Sequence, residues 1–202
     1  MLLGRMYAVR VFLFMVGDML ISRLSEWDTH LLLWINNAGT EPWDTIFWYG
    51  TKGWVGIPLY VLVAVWLAWR ERQRALRILL LTALSVMSAD LVSGKVLKPA
   101  IGRLRPSHDP ALAGKVRLLH GYKGGFYSMP SSHAANTAAG VTTLGMQTRH
   151  PIIWTVGILW AFLHSFTRMY LGVHYPSDIL VGWILGMFVA LMVIKASKSL
   201  YA

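Results

Sequence analysis

Apolar residues in this chain gather into long runs separated by short polar breaks, a pattern unlike helices that keep one solvated face. Gly53–Trp69 carries no formal charge and ends at Arg70-Glu71-Arg72-Gln73-Arg74. A bilayer crossing takes about 20 residues, with roughly 17 as the lower limit, so this run predicts a membrane span. Ile78–Leu97 predicts a second, with Asp90 and Lys95 inside it. Ser131–Met146 predicts a third, rich in the Ala, Gly, Ser and Thr that permit close helix packing. Pro151–Tyr170 and Pro176–Ile194 predict a fourth and a fifth. The longest polar connector, Lys98–Pro130, separates the second from the third.

The first fifty residues are less regular. Val11–Ile21 is a modest apolar run broken by Asp18 and preceded by Arg5 and Arg10. It lacks a small-residue cleavage site, so a short sixth membrane helix or an interfacial helix is expected rather than a signal peptide. Residues 22–52 mix Glu26, Asp28, Glu41 and Asp44 with Trp27, Trp34, Trp43 and Trp48. Leu31, Leu32, Trp34 and Ile35 suit an amphipathic helix at the interface; a plain extramembrane connector fits equally well. The expected architecture is an all-α integral membrane protein, a bundle of five core transmembrane helices plus a possible sixth, forming one domain over 1–202.

Composition agrees. Of 202 residues, 55% are hydrophobic and 14% charged, and the mean hydropathy is +0.50; soluble domains carry about 25% charged residues. The 10 Trp and 8 Tyr suit membrane interfaces. A net charge of +10 without a basic, aromatic-interleaved polar segment points to anionic lipid rather than nucleic acid. The absence of Cys excludes disulfides and thiolate chemistry.

Alternation of the spans puts Lys98–Pro130 and Arg168–Asp178 on one side of the membrane. Arg70, Arg72, Arg74, Arg77, Arg149, Lys195 and Lys198 fall on the other. The first side holds Lys98, Arg103, Arg105, Lys115, Arg117, Lys123 and Arg168, a tie. Setting aside Lys98, Arg105 and Arg168 as ligand-binding residues leaves four against seven, which places the polar connector outside the cytoplasm.

The candidate chemistry lies on that side. Thr167–Asp178 holds Arg168, His174 and Asp178, with Pro176 placed to open a helix. Asp178, four residues after His174, can meet one imidazole nitrogen and leave the other free as base or nucleophile. Arg168 offers a planar fork of donors to a phosphate. Two further motifs share this face: Lys98, six residues, then Arg105-Pro106; and Pro130-Ser131-Ser132-His133 at a helix start. Free N–H groups and the dipole at such a start attract an anion.

The ordered triplet resembles the type 2 phosphatidic acid phosphatase superfamily, whose pattern is Lys-x6-Arg-Pro, Pro-Ser-x-His and Ser-Arg-x5-His-x3-Asp. The resemblance covers roughly residues 54–194. Ser132 stands where many members have Gly, and Thr167 replaces a Ser. The resemblance implies that His174 is the nucleophile, forming a phosphohistidine, that Asp178 orients it, and that His133 is the general acid. It implies a phosphate cradle of Lys98, Arg105, Arg168, Ser131 and the N–H of Ser132, with no metal or cofactor. It further implies a catalytic core over residues 53–194 in a bacterial inner membrane, acting on a lipid phosphate or diphosphate from the outer leaflet. Undecaprenyl diphosphate is the first expectation; phosphatidylglycerophosphate, phosphatidic acid and lipid A are alternatives. A non-catalytic lipid-phosphate carrier and a vanadate-dependent oxidase are rivals from other classes.

Outside the motifs, the default reading is structural. His164 is expected to pack, and His108 and His120 to be solvated loop residues. Asp90, about two helical turns before Lys98, is expected to pair with it. No residue in the sequence identifies which lipid tail is read.

Overall fold

The computed structural model describes residues 22–199, so the expectation for Val11–Ile21 lies outside the described residues. A helix over residues 22–37 (α1) is followed by α2, Trp43–Gly50. A 3-10 turn, Gly53–Gly56, leads into α3, Ile57–Arg70. Next come α4, Ala75–Leu91, a π-helical stretch Val92–Leu97, and the single turn α5, Lys98–Ile101. Together Arg72–Ile101 make one apolar rod of 30 residues, about 45 Å long at 1.5 Å per residue. The polar connector then folds over one end of the bundle in short 3-10 turns before α6, Ser132–Thr148, α7, Pro151–Tyr170, and α8, Pro176–Ser199.

Among the described residues, four helices are long and apolar enough to cross a membrane: Gly53–Arg70, Arg72–Ile101, Pro151–Tyr170 and Pro176–Ser199. Leu80, Leu84, Met87, Ile184 and Phe188 stand exposed on their outer faces, as lipid-facing residues must. The run expected as a third span became α6, which differs in kind. It has 17 residues and buries Ala134, Ala135, Ala138, Ala139, Thr142 and Thr143. It packs against α4, α7 and α8. A helix that faces protein on most sides needs small residues rather than apolar ones, which explains its weak hydropathy. Its closest neighbour is α8. A Cβ on Gly186 would lie 2.1 Å from the Ala135 carbonyl oxygen, and one on Gly182 would lie 2.6 Å from that of Ser131. Those two glycines let the backbones touch.

Residues 22–52 form two helices that pack on the rest of the protein, so the segment is more than a plain connector. On α1, Asp28, Leu32, Ile35 and Asn36 are buried while Trp27 and Trp34 face outward. Asn36 Nδ2 donates to the Tyr170 and Arg117 carbonyls at 2.8 and 3.0 Å, and its Oδ1 accepts from Arg117 N at 2.7 Å. On α2, Asp44 receives Arg117 Nη1 at 2.7 Å and Tyr170 Oη at 2.5 Å. The bond from Arg117 holds the Asp44 carboxyl below the usual carboxylate range. The N-terminal segment is thus clamped to the connector and the end of α7.

Candidate active site

His174 lies in the five-residue turn between α7 and α8, where the chain reverses through Gly172 at φ +68°. Glycine is required there twice over: the backbone is left-handed, and a Cβ would lie 2.4 Å from Val116 Cγ1. Pro176 then opens α8 and sets Asp178 in its first turn. His174 and Asp178 are both fully buried. Asp178 Oδ2 lies 3.3 Å from His174 Nδ1 and accepts the Tyr175 N–H at 2.8 Å. A proton on Nδ1 facing that carboxylate leaves the Nε2 lone pair uncommitted, and Nε2 has no protein partner among the described residues. Burial pushes the His174 pKa well below 6.5, and the charges of Arg105, Arg168, Lys98 and Arg103 push it the same way. The imidazole is therefore neutral at neutral pH.

Three of the cations in that field, Lys98, Arg105 and Arg168, are the other motif residues. Arg168, in the last turn of α7, is 1% exposed. Its Nη1 is held by Thr51 Oγ1 and its Nη2 donates to Tyr122 Oη at 3.1 Å, while Nε is unpartnered. Arg105 follows α5 in the connector. Its Nε donates to the Tyr127 carbonyl at 3.1 Å and its Nη1 is unpartnered. Burial and the neighbouring Arg168 lower Arg105 to about 10, which leaves it charged at neutral pH. Gly124, with φ +67°, lets the connector pass over this guanidinium, since a Cβ there would lie 2.6 Å from Nη1. Ser131 caps α6. Its N–H donates to the Asp178 carbonyl at 2.9 Å, and its buried Oγ has no protein partner. Ser132 Oγ lies 2.8 Å from Ser93 Oγ on the π-helical stretch. His133 sits one residue further, its ring 5.2 Å from that of His164. All three motifs thus converge at one end of the bundle.

Several contributors carry no local sequence signal. Arg103 donates to Asp178 Oδ1 at 2.9 Å and to Asp28 Oδ2 at 2.6 Å. Its guanidinium also lies 3.9 Å from the Tyr175 ring centroid. Ser177 Oγ and N reach the same Asp28 carboxylate, at 2.5 and 2.8 Å. Thr51 and Tyr122 hold Arg168. The expected pairing of Asp90 with Lys98 is absent: Asp90 Oδ1 accepts from Asn136 Nδ2 at 2.9 Å, and no ion pair joins it to Lys98. The π-helical stretch between the two breaks the α register that would set them on a common face. His164 stacks on Trp160 at 5.4 Å and an interplanar angle of 9°. Among the described residues no three His, Asp or Glu side chains form a metal-binding group.

A cavity of about 930 Å³ runs from Ser132 and His133 down between α3, α4, α6 and α7. Its deeper wall is apolar and includes Leu59, Val63, Trp66, Leu79 and Leu144. These five side chains come from three separate helices, α3, α4 and α6, and form no local sequence motif.

Buried cations around an unpartnered imidazole, beside an apolar cleft in a bundle of membrane-length helices, suit a multi-pass membrane protein that handles lipid phosphates. Comparison with known proteins gives the family. Residues 74–201 match the PAP2 superfamily, and the chain belongs to it. It is 35% identical over 174 residues to the lipid A 4'-phosphatase of Bacteroides thetaiotaomicron, covering 84% of this chain and 76% of that one. It is 32% identical over 151 residues to the undecaprenyl-diphosphatase of Sulfolobus acidocaldarius, covering 75% and 67%. The crystal structure of Aquifex aeolicus LpxE superposes with a TM-score of 0.61 at 26% identity, covering 83% of this chain and 94% of that one. A phosphatidylglycerolphosphate phosphatase from Bacillus subtilis, at 20% identity and a TM-score of 0.62, shares the fold. The chain is accordingly a PAP2 lipid phosphatase.

Proposed function

We propose that the chain hydrolyses a lipid phosphate at the membrane surface through a phosphohistidine on His174, without a metal. The observation that carries this reading is the buried, unpartnered Nε2 of a neutral His174, backed by Asp178 and set among Lys98, Arg105 and Arg168. In the first step the Nε2 lone pair attacks phosphorus and the P–O bond to the lipid breaks. The lipid oxygen leaves with the electron pair and takes a proton from His133. Negative charge on the equatorial oxygens is met by the three cations, Ser131 and the N–H of Ser132 at the α6 N-terminus. In the second step His133 takes a proton from water, the resulting hydroxide attacks phosphorus, and the P–N bond returns its electrons to Nε2. Inorganic phosphate leaves.

The cavity supports entry of the lipid from the bilayer, with its phosphate at His133 and its chains against Val63, Leu79 and Leu144. The relatives support a lipid phosphate as substrate. Their names do not favour undecaprenyl diphosphate, since a lipid A 4'-phosphatase matches at least as well. The test is phosphate release from lipid phosphates by purified protein in detergent with excess EDTA. Turnover that persists in EDTA is expected; its loss on chelation, with recovery on adding a divalent ion, would refute metal independence.

We place the site on the outer face of the cytoplasmic membrane, supported by the basic residues left at the opposite end. In intact cells, an impermeant maleimide should label Lys115→Cys and spare Gln73→Cys. The reverse pattern would invert the topology.

A further inference from the structure

Between the phosphate cradle and the apolar depth of the cavity lies a ring of polar atoms that the hydrolytic steps do not use. His133 and Asn136 are one turn apart on α6; Trp160 and His164 are one turn apart on α7; all four line the cavity. Asn136 Oδ1, Trp160 Nε1 and His164 Nδ1 are buried and have no protein hydrogen-bond partner. They are held where they are. Asn136 Nδ2 is fixed by Asp90, Trp160 stacks on His164, and the Tyr60 ring packs edge-on against Trp160 at 6.3 Å. The His164 ring is 5.2 Å from that of His133, so the ring of atoms begins directly beside the phosphate position. The apolar residue Leu144 lies on α6 about 16 Å beyond His133, at 1.5 Å per residue.

Unpartnered buried polar atoms call for a partner. The indole N–H can only donate, the Asn136 carbonyl oxygen can only accept, and the imidazole Nδ1 does either according to tautomer. Together they suit a hydroxyl or an amide, which offers both donor and acceptor, while an ester carbonyl can accept from Trp160 Nε1 and from a protonated His164 Nδ1. A polyprenyl chain carries only hydrocarbon beyond its phosphate and would leave all three unmatched. The second phosphate of a diphosphate would instead meet the Asp90 carboxylate at the same level, which opposes it.

We propose that Asn136, Trp160 and His164 form a polar collar that binds the hydrogen-bonding link, an acylated glycerol or sugar, between the phosphate and its chains. The collar selects phosphate monoesters of acylated lipids over polyprenyl phosphates. This rests on the lipid-phosphate reading of the site and narrows it to a substrate class.

The test measures binding, so it does not depend on turnover. Trp160→Phe and His164→Phe each remove the polar atom and keep an aromatic ring. Each is placed on a His174→Ala background, and dissociation constants are measured in one detergent for phosphatidic acid and for a polyprenyl monophosphate. The collar predicts that each variant weakens phosphatidic acid by about tenfold while polyprenyl phosphate stays within about twofold, because a site built to hydrogen-bond loses most where its partner was polar. Retained polyprenyl phosphate binding also shows that the variants are folded. Equal weakening of both lipids, or unchanged affinity for phosphatidic acid, would overturn the collar. Phosphate release by the wild-type protein is read separately. Its absence alongside selective binding would remove the hydrolytic reading and leave the collar standing.

Discussion

Burial and charge act in the same direction on His174, and the consequence is measurable. Its folded pKa lies well below 6.5, first from burial and then from the surrounding cations. Between those two values the unfolded chain holds a proton that the native chain does not, so stability falls as pH drops below 6.5. The slope from this one group is at most about 1.4 kcal/mol per pH unit. Thermal melting in detergent at neutral pH and at mildly acidic pH, on wild type and His174→Gln, reads it directly. The wild-type midpoint should fall further on acidification; an equal fall in both would show that His174 titrates normally. At this scale much of the candidate site was legible in the sequence. Lys98, Arg105, Ser131, His133, Arg168, His174 and Asp178 fall in three short windows, 98–105, 131–133 and 168–178. Asp90 was misread because a π-helical stretch is invisible in apolar patterning, and the eight-residue offset to Lys98 presumed an unbroken α-helix.

At the scale of elements, the site depends on a helix that the motifs do not include. Asp28 of α1 holds Arg103, and Arg103 holds Asp178. Asp28 and Asp178 are buried while Arg103 is a quarter exposed, so the chain of contacts fixes the carboxylate behind His174. Supporting contacts of this kind are worth about 10–100-fold in the metal sites where they are best measured. Arg103→Gln should therefore lower kcat by about that factor with KM little changed, Asp28→Asn should lose less, and Arg103→Lys should restore part of the loss. Steady-state kinetics on the three variants checks this; a rise in KM at constant kcat would place Arg103 in substrate binding instead. None of it could be read from the sequence, because Asp28 and Arg103 lie 75 residues apart and Arg103 and Asp178 another 75. The role of residues 22–52 was hidden for the same reason. Asn36, Asp44 and Thr51 have no meaning until the connector and the end of α7 are folded against them.

The whole molecule combines the proposed anion cradle with an apolar cleft, and its architecture follows from which helices can meet lipid. The runs that do so, Gly53–Arg70, Arg72–Ile101, Pro151–Tyr170 and Pro176–Ser199, are those whose hydropathy stood out in the sequence. The central helix α6 meets protein, so small residues replaced apolar ones and its span-like signal was weakest. It carries Ser132 and His133 at its start, and its close contact with α8 through Gly182 and Gly186 ties them to Asp178. Cradle, cleft and bundle all converge on one nitrogen. The most direct measurement is chemical: react the purified protein with a lipid phosphate, quench in alkali, where phosphohistidine survives, and map the phosphorylated peptide by mass spectrometry. The phosphoryl group should be on His174 and should be absent, together with turnover, in His174→Ala. A phosphoryl group on another residue, or turnover that continues in His174→Ala, would contradict the account.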